Sequence, residues 1–192
     1  MNYGELKTAV TSWASRSDVV AADMVALAEA EIRRDVRVIA QEEIVTGSLV
    51  GGRFAVPADF LESRQLLIGG KLYSFVTPEQ YQIEQEMQTT SRYFTRIGGY
   101  FYVVHGDAEA YSLLYCAAFD ALSADADTNW LLTNAHDVYL FAAMKHAAIW
   151  LKDSASAQGY GAVYDAAVAK LNGSDKAARM AGQLTVRARV VA

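Results

Sequence analysis

The residues that could carry chemistry are few, and their spacing does not favour it. Of the three histidines, His105, His136 and His146, the last two are ten positions apart, nearly three turns of a helix, too far for neighbouring metal ligands. Histidines with structural partners are expected. Asp125, Asp127 and Asn129 copy the first three ligand positions of a calcium-binding EF-hand loop. Trp130 stands where the turn glycine belongs, however, and His136 where the bidentate acid belongs, so these residues read as a polar loop that caps the next helix. The carboxylates of Glu42-Glu43 and of Glu84 and Glu86 have no evident partner to tune them and read as solvated faces. The glycine pairs at 51–52, 69–70 and 98–99 lack the spacing of a phosphate-binding loop, and no G-x-S-x-G elbow occurs. Cys116 is the single cysteine; it can form no internal disulfide and reads as a small buried thiol. The expectation is a chain with no catalytic, cofactor or metal site, and not an enzyme.

Composition points the same way. The chain has 192 residues, 53% hydrophobic and 20% charged, with a formal charge of −5. This is enough apolar surface for a packed core and too little basic charge for tight binding to phosphates. The basic clusters, Arg33, Arg34 and Arg37 with Asp35 between, and Arg187 with Arg189, are too sparse for a nucleic-acid footprint. No apolar run reaches the ~20 residues of a membrane span. The first residues, with Glu5 and Lys7, do not read as a secretory signal, so a cytosol-like compartment and no membrane association are expected.

The elements follow from periodicity. Tyr3 to Ser15 predicts a first helix, and Ser17 or Asp18 a cap for a second, in which Val25, Ala28, Ile32 and Val36 recur at helical spacing. The two should form an antiparallel hairpin. Each glycine pair lies between strand-forming stretches, which predicts three hairpins with positive φ at the glycines. Thr77-Pro78-Glu79-Gln80 predicts a short helix with a capping box, running to about Gln88. A strand is expected over Tyr111 to Cys116. A helix from His136 to Lys152 is apolar nearly all round, so it is either a central core helix or partly covered by other subunits. A last helix from about Ser156 to Leu171 carries Tyr160, Val163, Tyr164, Ala167 and Leu171. Leu184, Val186, Ala188 and Val190 then alternate with Thr185, Arg187 and Arg189, a strand pattern without a nearby hairpin partner, read as an arm. The predicted class is α+β: a helical bundle, made of the N-terminal helical hairpin and two C-terminal helices, with an inserted antiparallel β-meander of hairpins and an extended C-terminal arm. In this reading one domain covers 1–182, with helices over 1–40 and 129–182 and a β-rich insertion over 41–119. The arm is 183–192. Trp130, Tyr139, Phe141 and Trp150 are expected to pack the third long helix against the bundle or a neighbouring subunit.

Several stretches resemble the adaptor, or head-to-tail connector, proteins of tailed bacteriophages. They are the N-terminal helical hairpin, Phe54-Ala55-Val56-Pro57-Ala58-Asp59-Phe60, Leu113-Leu114-Tyr115, and Thr128-Asn129-Trp130-Leu131-Leu132 followed by Asp137-Val138-Tyr139-Leu140-Phe141-Ala142-Ala143, with Trp150-Leu151-Lys152-Asp153 closing that helix. The chain departs from the family pattern at His136, where proline is usual, and at Tyr115-Cys116, where one aromatic replaces two. The resemblance implies a virion protein, made in the host cytoplasm, that forms a dodecameric ring at the head-tail junction. Such a ring contacts the portal protein and tail or nozzle proteins, and double-stranded DNA passes through it without specific binding. It also implies that the arm, with Leu184, Val186, Arg187, Ala188, Arg189 and Val190, contacts the portal or another subunit. A tail-side gatekeeper or stopper ring, and a small monomeric binding module, are the alternative readings.

Overall fold

The computed structural model describes residues 1–16, 18–87, 90–104 and 109–181. Along the chain the elements are α1 (Tyr3–Ala14), α2 (Ala21–Asp35), β1 (Glu42–Ser48), β2 (Arg53–Ala55), β3 (Phe60–Ile68), β4 (Lys71–Phe75), α3 (Pro78–Glu86), β5 (Tyr93–Ile97), β6 (Tyr100–Val103), β7 (Ala110–Ala117), α4 (Trp130–Asn134), α5 (His136–Trp150) and α6 (Ser154–Ala181). They form two compact units. Met1–Ala40 and the described residues from Phe119 to Ala181 make a helical unit, and Gln41–Ala118 make a sheet unit.

In the helical unit α1 begins with a reciprocal cap. Asn2 Oδ1 accepts from the Glu5 amide at 2.8 Å, and Glu5 Oε2 accepts from the Asn2 amide at 2.9 Å. This satisfies two amides that the first turn would otherwise leave unpaired. The cap expected for α2 is not made. Its N-cap is Val20, without a side-chain hydrogen bond, and Asp18 is instead held by the Arg16 guanidinium at 2.7 and 2.9 Å. Ser17 lies outside the described residues.

Helix α5 packs against α1, α2, α4 and α6. Val138, Tyr139, Ala142, Ala143, Met144 and Ala147 are buried on it, together with Leu6 and Val10 of α1, Val25, Ala28 and Ile32 of α2, and Tyr164 and Val168 of α6. Its alanines let neighbouring helices approach on several sides, which explains an apolar character nearly all round. Within the described residues it is a central core helix. Its two ends break the surface: His136 and Asp137 are exposed at the first turn, and Ile149 is 56% and Trp150 50% exposed at the last. On α6 the inward row runs through Tyr160, Tyr164, Val168 and Leu171, of which Tyr164 and Val168 are buried. Val163 is out of it and exposed, because the preceding residue sits about 100° away round a helix. The helix starts at Ser154 and continues past Leu171 to Ala181.

The sheet unit has seven strands in the order β1-β7-β3-β4-β5-β6-β2, and this corrects the expected meander. The pairs at Gly69-Gly70 and Gly98-Gly99 do close hairpins, β3–β4 and β5–β6, with Ile68 opposite Lys71 and Ile97 opposite Tyr100. Positive φ occurs at both glycines of the first and at Gly98 of the second, the region that glycine enters without a Cβ penalty. Gly51-Gly52 also has positive φ but closes only a single bridge, Val50 to Arg53. Beyond it β1 pairs with β7 and β2 with β6, since Phe54 gains the interior beside Phe101 there (centroids 5.1 Å apart).

Strands β4 and β5 are parallel. Parallel neighbours cannot be joined by a tight turn, so α3 serves as their crossover. Thr77 caps it, accepting from the Gln80 amide at 3.3 Å, with Pro78 next. The expected capping box is not completed, because the Gln80 side chain donates to Glu84 at 2.8 Å instead. The helix ends at Glu86, and Gln88 lies outside the described residues.

Rings from strands far apart in the sheet order meet inside it. Phe54 of β2 stacks on Tyr111 of β7 with centroids 4.0 Å apart, and Phe60 of β3 meets Phe101 of β6 at 5.2 Å. The sheet is therefore curled almost into a barrel around one apolar core. Among the described residues its two edge strands are β1 and β2.

Candidate interaction surfaces

Several of the groups able to do chemistry bond to the fold itself. The Glu31 carboxylate on α2 meets the Lys145 ammonium and lies 3.0 Å from His146 Nε2, both on α5. One carboxylate thus ties two helices together through two donors. Also on α2, Asp35 Oδ2 accepts from the Tyr164 hydroxyl at 2.9 Å. Asn172 of α6 donates to the Asp35 carbonyl at 2.9 Å and accepts from the Arg37 amide at 3.0 Å, while Asp175 accepts from the Ile39 amide at 2.7 Å. These bonds satisfy backbone groups where α2 ends. Burial and the Asp35 carboxylate raise the pKa of the Tyr164 hydroxyl. Burial likewise pushes Tyr139 up to about 12, and it raises the Glu29 carboxyl although that group accepts from the Leu122 amide.

The loop that mimics a calcium site is a capping loop. Asp127 accepts from the amides of Ala124 at 2.7 Å and Ser123 at 2.8 Å, which lowers its pKa. Asn129 caps α4 by accepting from the Leu132 amide at 2.9 Å and donates to the Asp120 carbonyl and the Tyr139 hydroxyl. Asp125 pairs with Lys7 at 2.6 Å. The ligand-like spacing is thus absorbed by turn and cap geometry.

In the sheet unit the Tyr115 hydroxyl stands 3.2–3.3 Å from the carboxylates of Asp59 and Glu43; burial is the first cause of its raised pKa and Asp59 the second. Glu43 therefore has a partner that its position in sequence did not reveal. Glu42 lies 3.4 Å from the Arg64 guanidinium, a charge contact not aligned as a hydrogen bond, and Arg64 donates to Glu62 at 3.0 Å. Cys116 is buried. Among the described residues no group of three or more His, Cys, Asp or Glu side chains could hold a metal ion. His105 lies outside them, and His136 is exposed at the first turn of α5.

What remains is surface suited to contact with other proteins. Trp13 of α1, Phe141 of α5 and Tyr160 of α6 form a continuous aromatic row, with centroid separations of 6.1 and 6.4 Å. Trp13 is 51% exposed. Beside it an open groove runs along α1 past Gly4, Thr8 and Ser12 to Asp125. At Gly4 a side chain would come within 3.2 Å of Asp125, so glycine keeps the loop against the helix. Large exposed aromatics of this kind dominate contact energies in protein interfaces.

The four expected packing residues divide. Tyr139 is buried in the core, and Phe141 packs against it from the surface row. Trp130 is 41% exposed and stacked on Phe119 with centroids 6.1 Å apart. Trp150, half exposed, is not a core residue of the subunit. Leu184, Val186, Arg187, Ala188, Arg189 and Val190 lie outside the described residues. Trp13 and the capping pair Asn2 and Glu5 were not singled out in the sequence, although the Asn-x-x-Glu spacing is a readable cap signal.

None of the described helices is long and apolar enough to cross a membrane. No curated protein matches the sequence significantly. The family model described as "SU10 adaptor protein", in contrast, matches residues 1–187, nearly the whole chain. With helices and strands in one α+β chain and this match over nearly its full length, the chain belongs to the SU10 adaptor protein family and is a bacteriophage adaptor.

Proposed function

We propose that this adaptor is a structural protein without enzymatic activity, which assembles as a dodecameric ring between the portal at the capsid vertex and the tail. Double-stranded DNA passes through the ring. The match of residues 1–187 to the adaptor family carries this reading. Three features support it. The row of Trp13, Phe141 and Tyr160, with half-exposed Trp13 at its end and the other two partly buried, offers the aromatic anchor of a subunit interface. A net charge of −5 suits a conduit along which DNA must slide rather than bind. Residues Leu184 to Val190 have the alternation of a strand that adds to a partner. A ring needs a head-to-tail contact between two different surfaces of the same chain, and the aromatic row and the arm are candidates for its parts.

Mass measurement by light scattering, with and without purified portal rings, tests the assembly. The expected result is a low-mass species for the chain alone in dilute solution and a stoichiometric ring-on-ring complex with the portal. A chain that stays monomeric beside intact portal rings would contradict the reading.

A further inference from the structure

The edge strand β1 is open, and the open side can be read residue by residue. The Leu49 amide donates to the Glu109 carbonyl at 3.0 Å, toward β7. Backbone groups alternate sides along a strand, so Glu43, Val45 and Gly47 also face β7, while those of Ile44, Thr46 and Ser48 point away from it. Among the described residues nothing pairs with these outward groups. Natural sheets blunt such edges with proline, lysine, a bulge or a cover. Here the register with β7 is unbroken over seven residues, none of them proline or lysine, and Ile44 is 68% exposed. Such an edge has room and free backbone groups for a further strand.

The chain itself contains a segment that fits it. Leu184 to Val190 is as long as β1 and alternates apolar residues with Thr185, Arg187 and Arg189. It has two basic residues and no acid, whereas β1 has Glu42 and Glu43 and no base. Glu42 and Glu62 lie on the same face of neighbouring registers, both opposite Cys116, with the Arg64 guanidinium beside them. With the apolar side of the segment continuing the interior beside Val45, the two arginines fall on the face of Glu42 and Glu62.

We propose that residues Leu184–Val190 of a second copy add as a strand to the open edge of β1, at the seam where the sheet fails to close. Resting on the adaptor reading, this makes the arm the link between neighbouring copies. Arm and edge are different surfaces of one chain, so each copy gives one and receives one, and the contact propagates round a closed ring.

Residue-resolved hydrogen exchange on the full chain, followed from dilute to concentrated solution, tests it. Exchange at Ile44, Thr46 and Ser48 should slow by roughly tenfold or more on association, with Val45 and Gly47 changing little. T46P removes an outward amide while sparing the β7 ladder, and I44K places a charge on the edge. Each variant should abolish the protection and the association, as should the double change R187E and R189E. Protection that is equal at all concentrations would show the chain's own arm on the edge and overturn the second-copy assignment. Association that survives T46P and I44K would overturn the edge itself. Rings that form on the portal with these amides unprotected would remove this inference and leave the adaptor reading standing. If the portal captures no rings, the adaptor reading fails instead, and the exchange measurement still decides between edge and no edge.

Discussion

At the scale of single residues, the tyrosines record how the core is satisfied. Tyr139 is 1% exposed, and its hydroxyl accepts from Asn129 Nδ2 at 2.8 Å. Burial moves its pKa from 10.0 to about 12. The folded protein therefore keeps a proton that the unfolded chain gives up first. The resulting stability is whole below about pH 10 and is lost as pH rises to about 12, at about 1.4 kcal/mol per pH unit. Tyr164 and Tyr115, also pushed up, add in the same direction. Urea unfolding at about pH 9 and about pH 11 should show this loss, and Y139F should make it shallower. A stability that rises over that interval would contradict the assignment. N129A removes the cap of α4 together with the bonds to Asp120 and Tyr139; the expected cost is about 2 kcal/mol in the same assay. The role of Asn129 as a cap was legible from the polar run before a helix. Its bond to Tyr139, a residue ten positions on, was not, because it depends on how α4 turns the chain.

At the scale of elements, local signals were read correctly at two of the three glycine pairs, while the side-chain cap expected for α2 and the capping box expected for α3 are not made. Gly69-Gly70 and Gly98-Gly99 make hairpins because nothing else adopts those φ values cheaply. Gly98 has φ +59, and a Cβ there would meet nothing within 4 Å. G98A should thus lower stability by about 1–2 kcal/mol through backbone strain alone, measurable as a shift in the urea midpoint. An unchanged midpoint would mean that the turn rearranges. The same signal at Gly51-Gly52 did not bring β1 and β2 together, since long-range partners, Tyr115 for Glu43 and Phe101 for Phe54, decide where those strands lie. The parallel β4–β5 pair was hidden for a similar reason: Thr77-Pro78 announces a helix but not that the helix is a crossover. In α5 the apolar pattern left two explanations open, and the neighbours α1, α2, α4 and α6 supply the cover. Trp150, at its exposed end, would cost 3–5 kcal/mol on truncation only if it were a core residue. Half exposed as it is, W150A should cost on the order of 1 kcal/mol or less in thermal unfolding. A larger loss would mean that the residue is covered.

At the scale of the whole molecule, the large aromatic side chains are divided between packed interiors and the surface. The sequence reading takes Trp130, Trp150 and Phe141 as packing residues but does not say which of them stay at the surface, because that depends on how the helices are rotated against one another. Trp13 emerges from the same packing. Truncating it should leave the melting temperature nearly unchanged, since it is half exposed, while weakening assembly on the portal by roughly tenfold or more if it anchors the interface. Deleting 183–192 should separate folding from assembly in the same way, with thermal unfolding of the monomer preserved and ring formation lost. A deletion that unfolds the monomer would give the tail a place in the subunit's own core.

The central claim is that the chain forms a ring on the portal, and electron microscopy of the purified chain mixed with portal rings tests it most directly. The predicted image is a second ring coaxial with the portal, with the channel continuous through both. Portal rings left bare at saturating concentrations of a folded chain, or decorated at scattered positions off the axis, would contradict it.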